Sequence, residues 1–217
     1  MTQETKVLIG VGVATVAIIT IGAFSFGGAT NTQKDESGAE VVSTENQKLL
    51  VQKDSHKKVA KKEKVVIVEF GDFQCPACGV AYPIVDQILT EYGENVTFVF
   101  RQYPLPMHKN AEIAALAAEA AGNQGKFFEM YDALYVNQAD WSESDKPMEY
   151  FEKYAKNLKL DVDAFKKSIE DKEFLSKIEK DKSDGNALSV SATPTFFING
   201  EHIVGGLQYD EFKEKIE

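Results

Sequence analysis

The sequence predicts an α/β fold with a mixed central sheet and flanking helices, a helical insertion, and one transmembrane helix before it. Three observations lead to this class. A strand pattern, an amphipathic helix and a second strand pattern follow one another after residue 64. A mostly helical stretch, about 108–188, comes next, and the chain closes with a hairpin pattern and a short helix. Near the N-terminus, an uncharged run is long enough to cross a bilayer.

The N-terminal run from Val7 to Ala29 contains 23 residues and no charged side chain. That length suits a membrane-spanning helix and exceeds the apolar core of a signal peptide, about 7–15 residues. We therefore predict a short cytoplasmic N-terminus over residues 1–6 and a transmembrane signal-anchor over residues 7–29. The rest of the chain then lies on the extracytoplasmic side of the cell membrane. Signal cleavage after Ala29, which yields a secreted protein, is the alternative.

Residues 30–63 are polar and predict a flexible tether, with a first short strand near Leu49–Gln52. Residues 64–217 form the predicted folded domain. The chain carries a net charge of −10. Because Glu4 and Lys6 cancel, this imbalance belongs to the region after the apolar run. An acidic domain argues against nucleic acid as a partner.

The predicted domain begins with VVIVEF, Val65–Phe70, whose β-branched residues are typical of a strand buried in a parallel sheet. Apolar residues at helical spacing follow Cys75 and predict that a helix begins there. In NVTFVFRQYPL, the alternation of Val96, Phe98 and Phe100 predicts a second strand. Two strands joined by a helix are expected to be parallel.

The end of the chain predicts an antiparallel pair. In TFFINGEHIVGG, two β-rich arms flank Asn199-Gly200, a pair that suits a two-residue hairpin turn. The sequence QYDEFKEKIE then predicts a closing helix. Together with the parallel pair, this hairpin makes the predicted sheet a mixed one.

Cys75 and Cys78 are the only cysteines and stand three positions apart at the predicted strand-to-helix turn. A zinc site needs about four ligands, and the sequence offers no second pair. A structural disulfide that closes so short a loop stabilises little. A redox pair explains the placement better, because the unpaired N–H groups and the dipole of the first helical turn stabilise a thiolate on Cys75.

Glu69 is the acidic residue of the first predicted strand and shares a face with Val65 and Ile67. A carboxyl group in such apolar surroundings has a raised pKa and can take or return a proton during thiol exchange. An acid at the strand end that reaches solvent fits the spacing equally well.

The stretch EFGDFQCPACGVAYP and the order of elements resemble the thioredoxin fold. The helical insertion makes the chain similar to the DsbA-like thiol-disulfide oxidoreductases. The family's acidic residue six positions before the first cysteine is matched by Glu69, and its helix proline by Pro83. SATPTFFING resembles the family's cis-proline loop, which implies a cis bond between Thr193 and Pro194. YPLPMHKNA resembles the passage into the insertion, and the resemblance covers residues 64–217.

The resemblance implies roles for the matched residues. Cys75 is expected to be the exposed nucleophile that forms a mixed disulfide with the substrate, Cys78 the resolving thiol and Glu69 the proton carrier. Pro194 is expected to keep its loop from binding metal at the thiols. The expected substrate-binding residues are Pro76, Ala77, Thr193 and Pro194, of which Thr193 offers backbone contacts. Neither a metal nor a cofactor besides the redox-active disulfide is expected.

One feature departs from the strongly oxidising relatives, which often place a histidine between the cysteines. Here Pro76-Ala77 stands between them. Because alanine cannot stabilise a thiolate as a histidine can, a less acidic Cys75 and a less oxidising disulfide are expected. His108, at the edge of the insertion, is expected to pack against or cap the helix that starts near Lys109, and an approach of its side chain to the site is the alternative.

These observations predict a membrane-anchored, extracytoplasmic thiol-disulfide oxidoreductase, and within that class a dithiol oxidase that introduces disulfides into client proteins through Cys75 and Cys78. A membrane partner is expected to reset the disulfide. A reductase or isomerase of the same fold is the first alternative. A non-catalytic tethered module that binds a soft metal or unfolded peptides is the second.

Overall fold

The computed structural model describes residues 32–34 and 40–217. The predicted cytoplasmic N-terminus, residues 1–6, and the predicted signal-anchor, residues 7–29, lie outside the described residues. In the described part, no helix combines the length and the apolar character that crossing a membrane requires.

Within the described residues, seven strands form one mixed sheet with the order β1-β2-β7-β6-β4-β5-β3. The strands are β1 (Thr32–Lys34), β2 (Glu40–Val42), β3 (His56–Lys58), β4 (Val65–Gly71), β5 (Val96–Gln102), β6 (Thr195–Ile198) and β7 (Glu201–Val204). The helices are α1 (Pro76–Tyr92), α2 (Ala111–Asn123), α3 (Phe127–Val136), α4 (Gln138–Trp141), α5 (Pro147–Asn157), α6 (Val162–Glu170), α7 (Leu175–Ala187) and α8 (Tyr209–Ile216). The predicted α/β class with a mixed sheet and a helical insertion, α2 to α7, is confirmed.

The centre of the sheet has the predicted connectivity. Strands β4 and β5 are parallel and are joined by α1, whereas β6 lies antiparallel to β4 on its other side. The β6–β7 hairpin turns at Asn199 and Gly200, whose φ angles are 50° and 89°. Positive φ at both central residues is what a type I′ turn needs, and Asn-Gly meets that need at low cost. Strand β4 is therefore a central strand, flanked on both sides.

The two faces of the sheet are buried in different ways. On one face, Val96, Phe98 and Phe100 pack into a large core that α1 and the insertion complete. On the other face, Val99 lies in a smaller core with Leu50 and Phe197. Because side chains alternate along a strand, β5 contributes to both cores, and residues 40–63 are needed to close the smaller one.

Residues 40–63 accordingly differ from the predicted flexible tether. The strand predicted near Leu49–Gln52 is wrong, because a 3-10 helix, Gln47–Leu49, precedes a buried Leu50 there. The strand of this segment is β3, which pairs antiparallel with β5 at the edge of the sheet. The polar composition concealed a few buried apolar residues that cover the sheet, and these tie the segment to the folded domain.

Arg101 is completely buried and fastens three parts of the fold together. Its guanidinium group donates to the carbonyls of Leu49 and Leu50 at 2.6 and 2.9 Å. It also pairs with Asp181 and Asp184 of α7 at 2.8 and 2.7 Å. A buried guanidinium group needs this many acceptors to offset its lost hydration.

Candidate active site

The two cysteines lie where the central strand β4 passes into α1. Cys75 is the N-cap residue of α1, with an extended backbone at φ −65° and ψ 122°. Pro76 occupies the first helical position, where a missing N–H is no loss. Cys78, one turn into the helix, has no solvent exposure, and both residues are in the thiol form. The predicted position of the pair at the helix N-terminus is correct.

Cys75 is less exposed than expected of the nucleophile, since only 7 % of its surface reaches solvent. The backbone carbonyl of Thr193 accepts a hydrogen bond from its thiol at 3.3 Å, so the loop before β6 covers one side of the sulfur. Pro76 and Ala77 are exposed beside it. A partner must therefore reach Cys75 through the narrow surface between Pro76-Ala77 and the Thr193 loop.

The surroundings of Cys75 lower its pKa to about 5. The Cys78 thiol contributes most by donating a hydrogen bond to the Cys75 sulfur, and the backbone N–H groups of Ala77 and Cys78 add to it. Burial opposes the effect. The N–H groups of the first helical turn thus help to lower this pKa as predicted, without a histidine between the cysteines.

Cys78 is affected in the opposite direction. Burial, first of all, raises its pKa well above the ordinary range, and the nearby Cys75 and Glu69 raise it further. Cys78 therefore stays a neutral thiol when Cys75 is a thiolate. One acidic and one basic thiol in a single site give the two sulfurs different chemistry.

Glu69 is 1 % exposed, which settles its surroundings in favour of the apolar setting. Burial is the main cause that raises its pKa to about 8, with a smaller contribution from Cys75, while a hydrogen bond from Tyr131 opposes them. Gly71, two residues further along the same face, makes room for the carboxyl group. A Cβ there would lie 3.0 Å from Glu69 Oε1 and 2.5 Å from a ring carbon of Phe100.

The loop before β6 has the form that the resemblance implied. The peptide bond between Thr193 and Pro194 is cis, and both residues are buried. The Thr193 hydroxyl is buried without a hydrogen-bond partner among the described residues. For this reason we attribute the acidity of Cys75 to Cys78 and the helix N–H groups rather than to this hydroxyl.

Gln138, from α4 of the insertion, is a site residue that sequence reasoning missed. Its amide nitrogen donates to the carbonyls of Phe73 and Cys75 at 2.7 and 2.9 Å, which holds the loop before α1. Gly79 leaves space for it, because a Cβ there would lie 2.3 Å from Gln138 Oε1. No motif marks this contact, which joins residues more than sixty positions apart in the chain.

Asp72 and His108 form a second contact beside the site, which agrees with the alternative expectation that His108 approaches it. His108 Nδ1 lies 2.6 Å from Asp72 Oδ2, which also accepts the N–H of Leu105 at 2.9 Å. The other carboxylate oxygen accepts the N–H of Gln74 at 2.8 Å. His108 also accepts from the N–H of Ala111 through its carbonyl, so it does contact the start of α2 as expected. Its ring, however, anchors the loop that leads to Cys75.

Comparison with known proteins agrees with the fold described above. A family model described as thioredoxin matches residues 53–217. BdbD from Bacillus subtilis is 28% identical, with a TM-score of 0.63 over 82% of this chain and 95% of that one. Wolbachia pipientis alpha-DsbA1, at 24% identity, shares the fold with a TM-score of 0.68 over 80% of this chain and 94% of that one.

Part of this chain is also similar to a segment of a much longer protein. The Na(+)/H(+) antiporter NhaA 1 of Salinispora arenicola is 41% identical over 146 residues. This segment is 67% of the present chain and 22% of the antiporter. The chain thus spans about a fifth of the length of the curated relatives that it matches.

The family match and the shared fold confirm the predicted resemblance to the thioredoxin fold and to DsbA-like structures. The chain belongs to the thioredoxin family.

Proposed function

We propose that this protein is a dithiol oxidase that introduces disulfides into client proteins through Cys75 and Cys78. The observation that carries the proposal is the position of Cys75 at the N-cap of α1, where the Cys78 thiol and the helix N–H groups lower its pKa to about 5. A stabilised thiolate favours the reduced form of the pair, so the corresponding disulfide is an oxidant. The redox-active disulfide is the only cofactor in this proposal, and no metal takes part.

Each thiol has its own role in the proposed reaction. A client thiolate attacks Cys75 Sγ of the oxidised pair, the Cys75–Cys78 bond breaks, and Cys78 leaves and takes a proton from Glu69. A second client thiolate then attacks the client sulfur of the mixed disulfide. The client disulfide forms, and Cys75 leaves as the stabilised thiolate. Two electrons have moved from the client to the pair.

The proposed client contact lies beside Cys75. The cis Thr193-Pro194 bond and the exposed Pro76 and Ala77 border the sulfur, which supports their proposed role in substrate binding. The backbone of Thr193 is available to an extended client segment once its carbonyl no longer accepts from the thiol. Pro194, which has no N–H and no metal-binding side chain, supports the proposal that this loop keeps metals from the thiols.

We further propose that the protein works outside the cytoplasm, held in the cell membrane through residues 7–29, with a membrane redox partner that reoxidises the pair. The uncharged run of the sequence supports the anchor, and signal cleavage remains the alternative. We do not propose the activity of the antiporter relative for this chain, because the shared segment is a small part of that protein.

The reduction potential of the Cys75–Cys78 pair, equilibrated against glutathione buffers, tests the proposal. A potential near that of a strong oxidant, about −120 mV, supports a disulfide donor. A potential near about −270 mV contradicts it and points to the alternative, a reductase or isomerase. Metal analysis of the same preparation tests the remaining alternative, since a stoichiometric soft metal that survives dialysis argues for a binding module.

A further inference from the structure

We propose that Tyr131 is a positioning residue for thiol exchange, which fixes the carboxyl group of Glu69 from the helical insertion and favours its charged, proton-accepting form. This inference rests on the proposed function, because it concerns the proton that Cys78 must lose when the pair is reoxidised. Tyr131 belongs to α3, so the inference also gives the insertion a part in the chemistry.

The contact between the two side chains is isolated from solvent. The Tyr131 hydroxyl donates to Glu69 Oε2 at 3.5 Å, and the two residues are 2 % and 1 % exposed. Among the ion pairs of the described residues, none brings a lysine or arginine to Glu69. Tyr131 is therefore the side chain that hydrogen-bonds to this buried carboxyl group in the described structure.

Tyr131 is packed among aromatic rings. Its ring centroid lies 4.9 to 6.2 Å from those of six aromatic neighbours, most of them in edge-to-face geometry. These neighbours are Phe73, Tyr82, Phe98, Phe100, Phe128 and Tyr135. Such pairs favour defined ring orientations, so the packing keeps the Tyr131 ring beside the carboxyl group.

The space around Glu69 is equally restricted. Phe100 pairs with Glu69 across the β4–β5 register, and Gly71 leaves the adjacent position free of a side chain. The carboxyl group thus fills a gap bounded by aromatic rings, and the Tyr131 hydroxyl is the polar group at its edge. The geometry favours one orientation of the carboxylate.

A hydroxyl donor stabilises a carboxylate more than a carboxylic acid. Burial pushes the other way and raises the pKa of Glu69 to about 8. Burial also raises the pKa of Tyr131 well above its ordinary range, so the phenol stays protonated and keeps its donor. Without this hydroxyl, the charged form of Glu69 loses its side-chain donor, and the pKa of Glu69 rises further because of burial.

The ionisation of Glu69 matters in the step in which Cys78 attacks a mixed disulfide between Cys75 and a partner thiol. The Glu69 carboxylate takes the proton of the Cys78 thiol, and the resulting thiolate attacks Cys75 Sγ. The Cys75–Cys78 bond forms, the bond from Cys75 to the partner sulfur breaks, and the partner leaves as a thiolate. Because Cys78 has a strongly raised pKa, the rate follows the fraction of Glu69 that is ionised.

The experiment mixes the reduced full-length protein in detergent with dithiobis(nitrobenzoate) in a stopped-flow instrument. Attack by Cys75 releases a first nitrothiolate, and attack by Cys78 on the mixed disulfide releases a second one in a unimolecular phase. The rate of this second phase is recorded against pH for wild type, Tyr131→Phe, Glu69→Gln and Tyr154→Phe. Tyr154 is the matched control, because its buried hydroxyl has no hydrogen-bond partner among the described residues.

We expect the wild-type rate to rise with a midpoint near the Glu69 pKa, about 8, and this titration to vanish in Glu69→Gln. In Tyr131→Phe the midpoint moves up by about one pH unit, which slows the second phase about tenfold at a pH below both midpoints. Tyr154→Phe keeps the wild-type profile. An unchanged midpoint in Tyr131→Phe, with the titration still lost in Glu69→Gln, overturns the inference and leaves the proposed function intact.

A second measurement covers the case in which Tyr131→Phe does not fold. In wild-type protein with carbon-13 in the tyrosine rings, the Tyr131 resonance should follow the titration of Glu69, and in Glu69→Gln it should not. A Tyr131 resonance that is insensitive to pH overturns the inference. A strongly reducing potential of the Cys75–Cys78 pair, in contrast, removes the proposed oxidase function and leaves the Tyr131–Glu69 contact untouched.

Discussion

Replacing Glu69 with glutamine should stabilise the reduced protein increasingly as the pH rises. In the folded protein, the buried carboxyl group keeps its proton up to a pH of about 8, whereas in the unfolded chain it loses the proton above about 4.3. Between these values the unfolded state binds fewer protons, so the free energy of unfolding of the wild type falls as the pH rises. Glutamine fits the same gap and has no proton to lose.

The magnitude follows from the two pKa values. At about 1.36 kcal/mol per pH unit, the interval from about 4.3 to about 8 corresponds to a penalty of about 5 kcal/mol, complete above pH 8. The effect is an upper value, because a relaxed native state can admit some water to the carboxylate.

Urea unfolding of both proteins under reducing conditions, from about pH 4 to about pH 9, measures the difference. Cys75 titrates in both proteins, so its contribution largely cancels. We expect the stability of wild type minus that of Glu69→Gln to fall steadily across this range. A difference that stays constant within about 1 kcal/mol would mean that Glu69 is not buried as described, and would refute the reasoning.

Three further predictions concern the cysteine pair and its supports. The ultraviolet absorbance of the Cys75 thiolate should titrate with a midpoint near the lowered pKa, about 5, and Cys78→Ala should raise that midpoint by about one to two pH units through loss of the thiol donor. Gly79→Ala should destabilise the wild type by about 1–2 kcal/mol in thermal unfolding, because the methyl group displaces the Gln138 amide from two carbonyls. Arg101→Met should lower the free energy of unfolding by about 3–5 kcal/mol, since it leaves the buried Asp181 carboxylate without its cation and Asp184 with Lys180 alone.

Each of these predictions has a control. Cys78→Ser keeps a hydroxyl donor and should preserve most of the acidity of Cys75. If the Cys75 thiolate titrated with the same midpoint in Cys78→Ser and in Cys78→Ala, the prediction for Cys78→Ala would be contradicted. In a Gln138→Ala background, Gly79→Ala should instead stabilise the protein by about 0.5–1 kcal/mol through helix propensity. If Gly79→Ala still destabilised the protein in that background, the Gly79 prediction would be contradicted. Lys61→Met removes an exposed ion pair and should lower the free energy of unfolding by at most about 1 kcal/mol. If Arg101→Met lowered it by no more than Lys61→Met does, the Arg101 prediction would be contradicted.

The central fold was predictable because its signals are local. The β-branched run of β4, the alternation in β5 and the Asn199-Gly200 turn each describe a few consecutive residues, and the structure contains all three elements. Residues 40–63 were not recognised as part of the domain, because their buried positions are few and widely spaced. Strand β3 and the buried Leu50 gain their stability from pairing with β5 and from the smaller core, which composition does not reveal.

The sequence by itself determined the redox pair and its place at a helix N-terminus, because spacing and the strand-to-helix pattern are properties of neighbouring residues. It also pointed to Glu69 through the alternation of the first strand, and to the Thr193-Pro194 loop through the resemblance. Only the tertiary structure decided that Glu69 is buried against Tyr131 and that Gln138 holds the loop at Cys75. Those outcomes depend on which helix of the insertion packs over the site, and packing joins residues far apart in the chain without leaving a pattern in either segment.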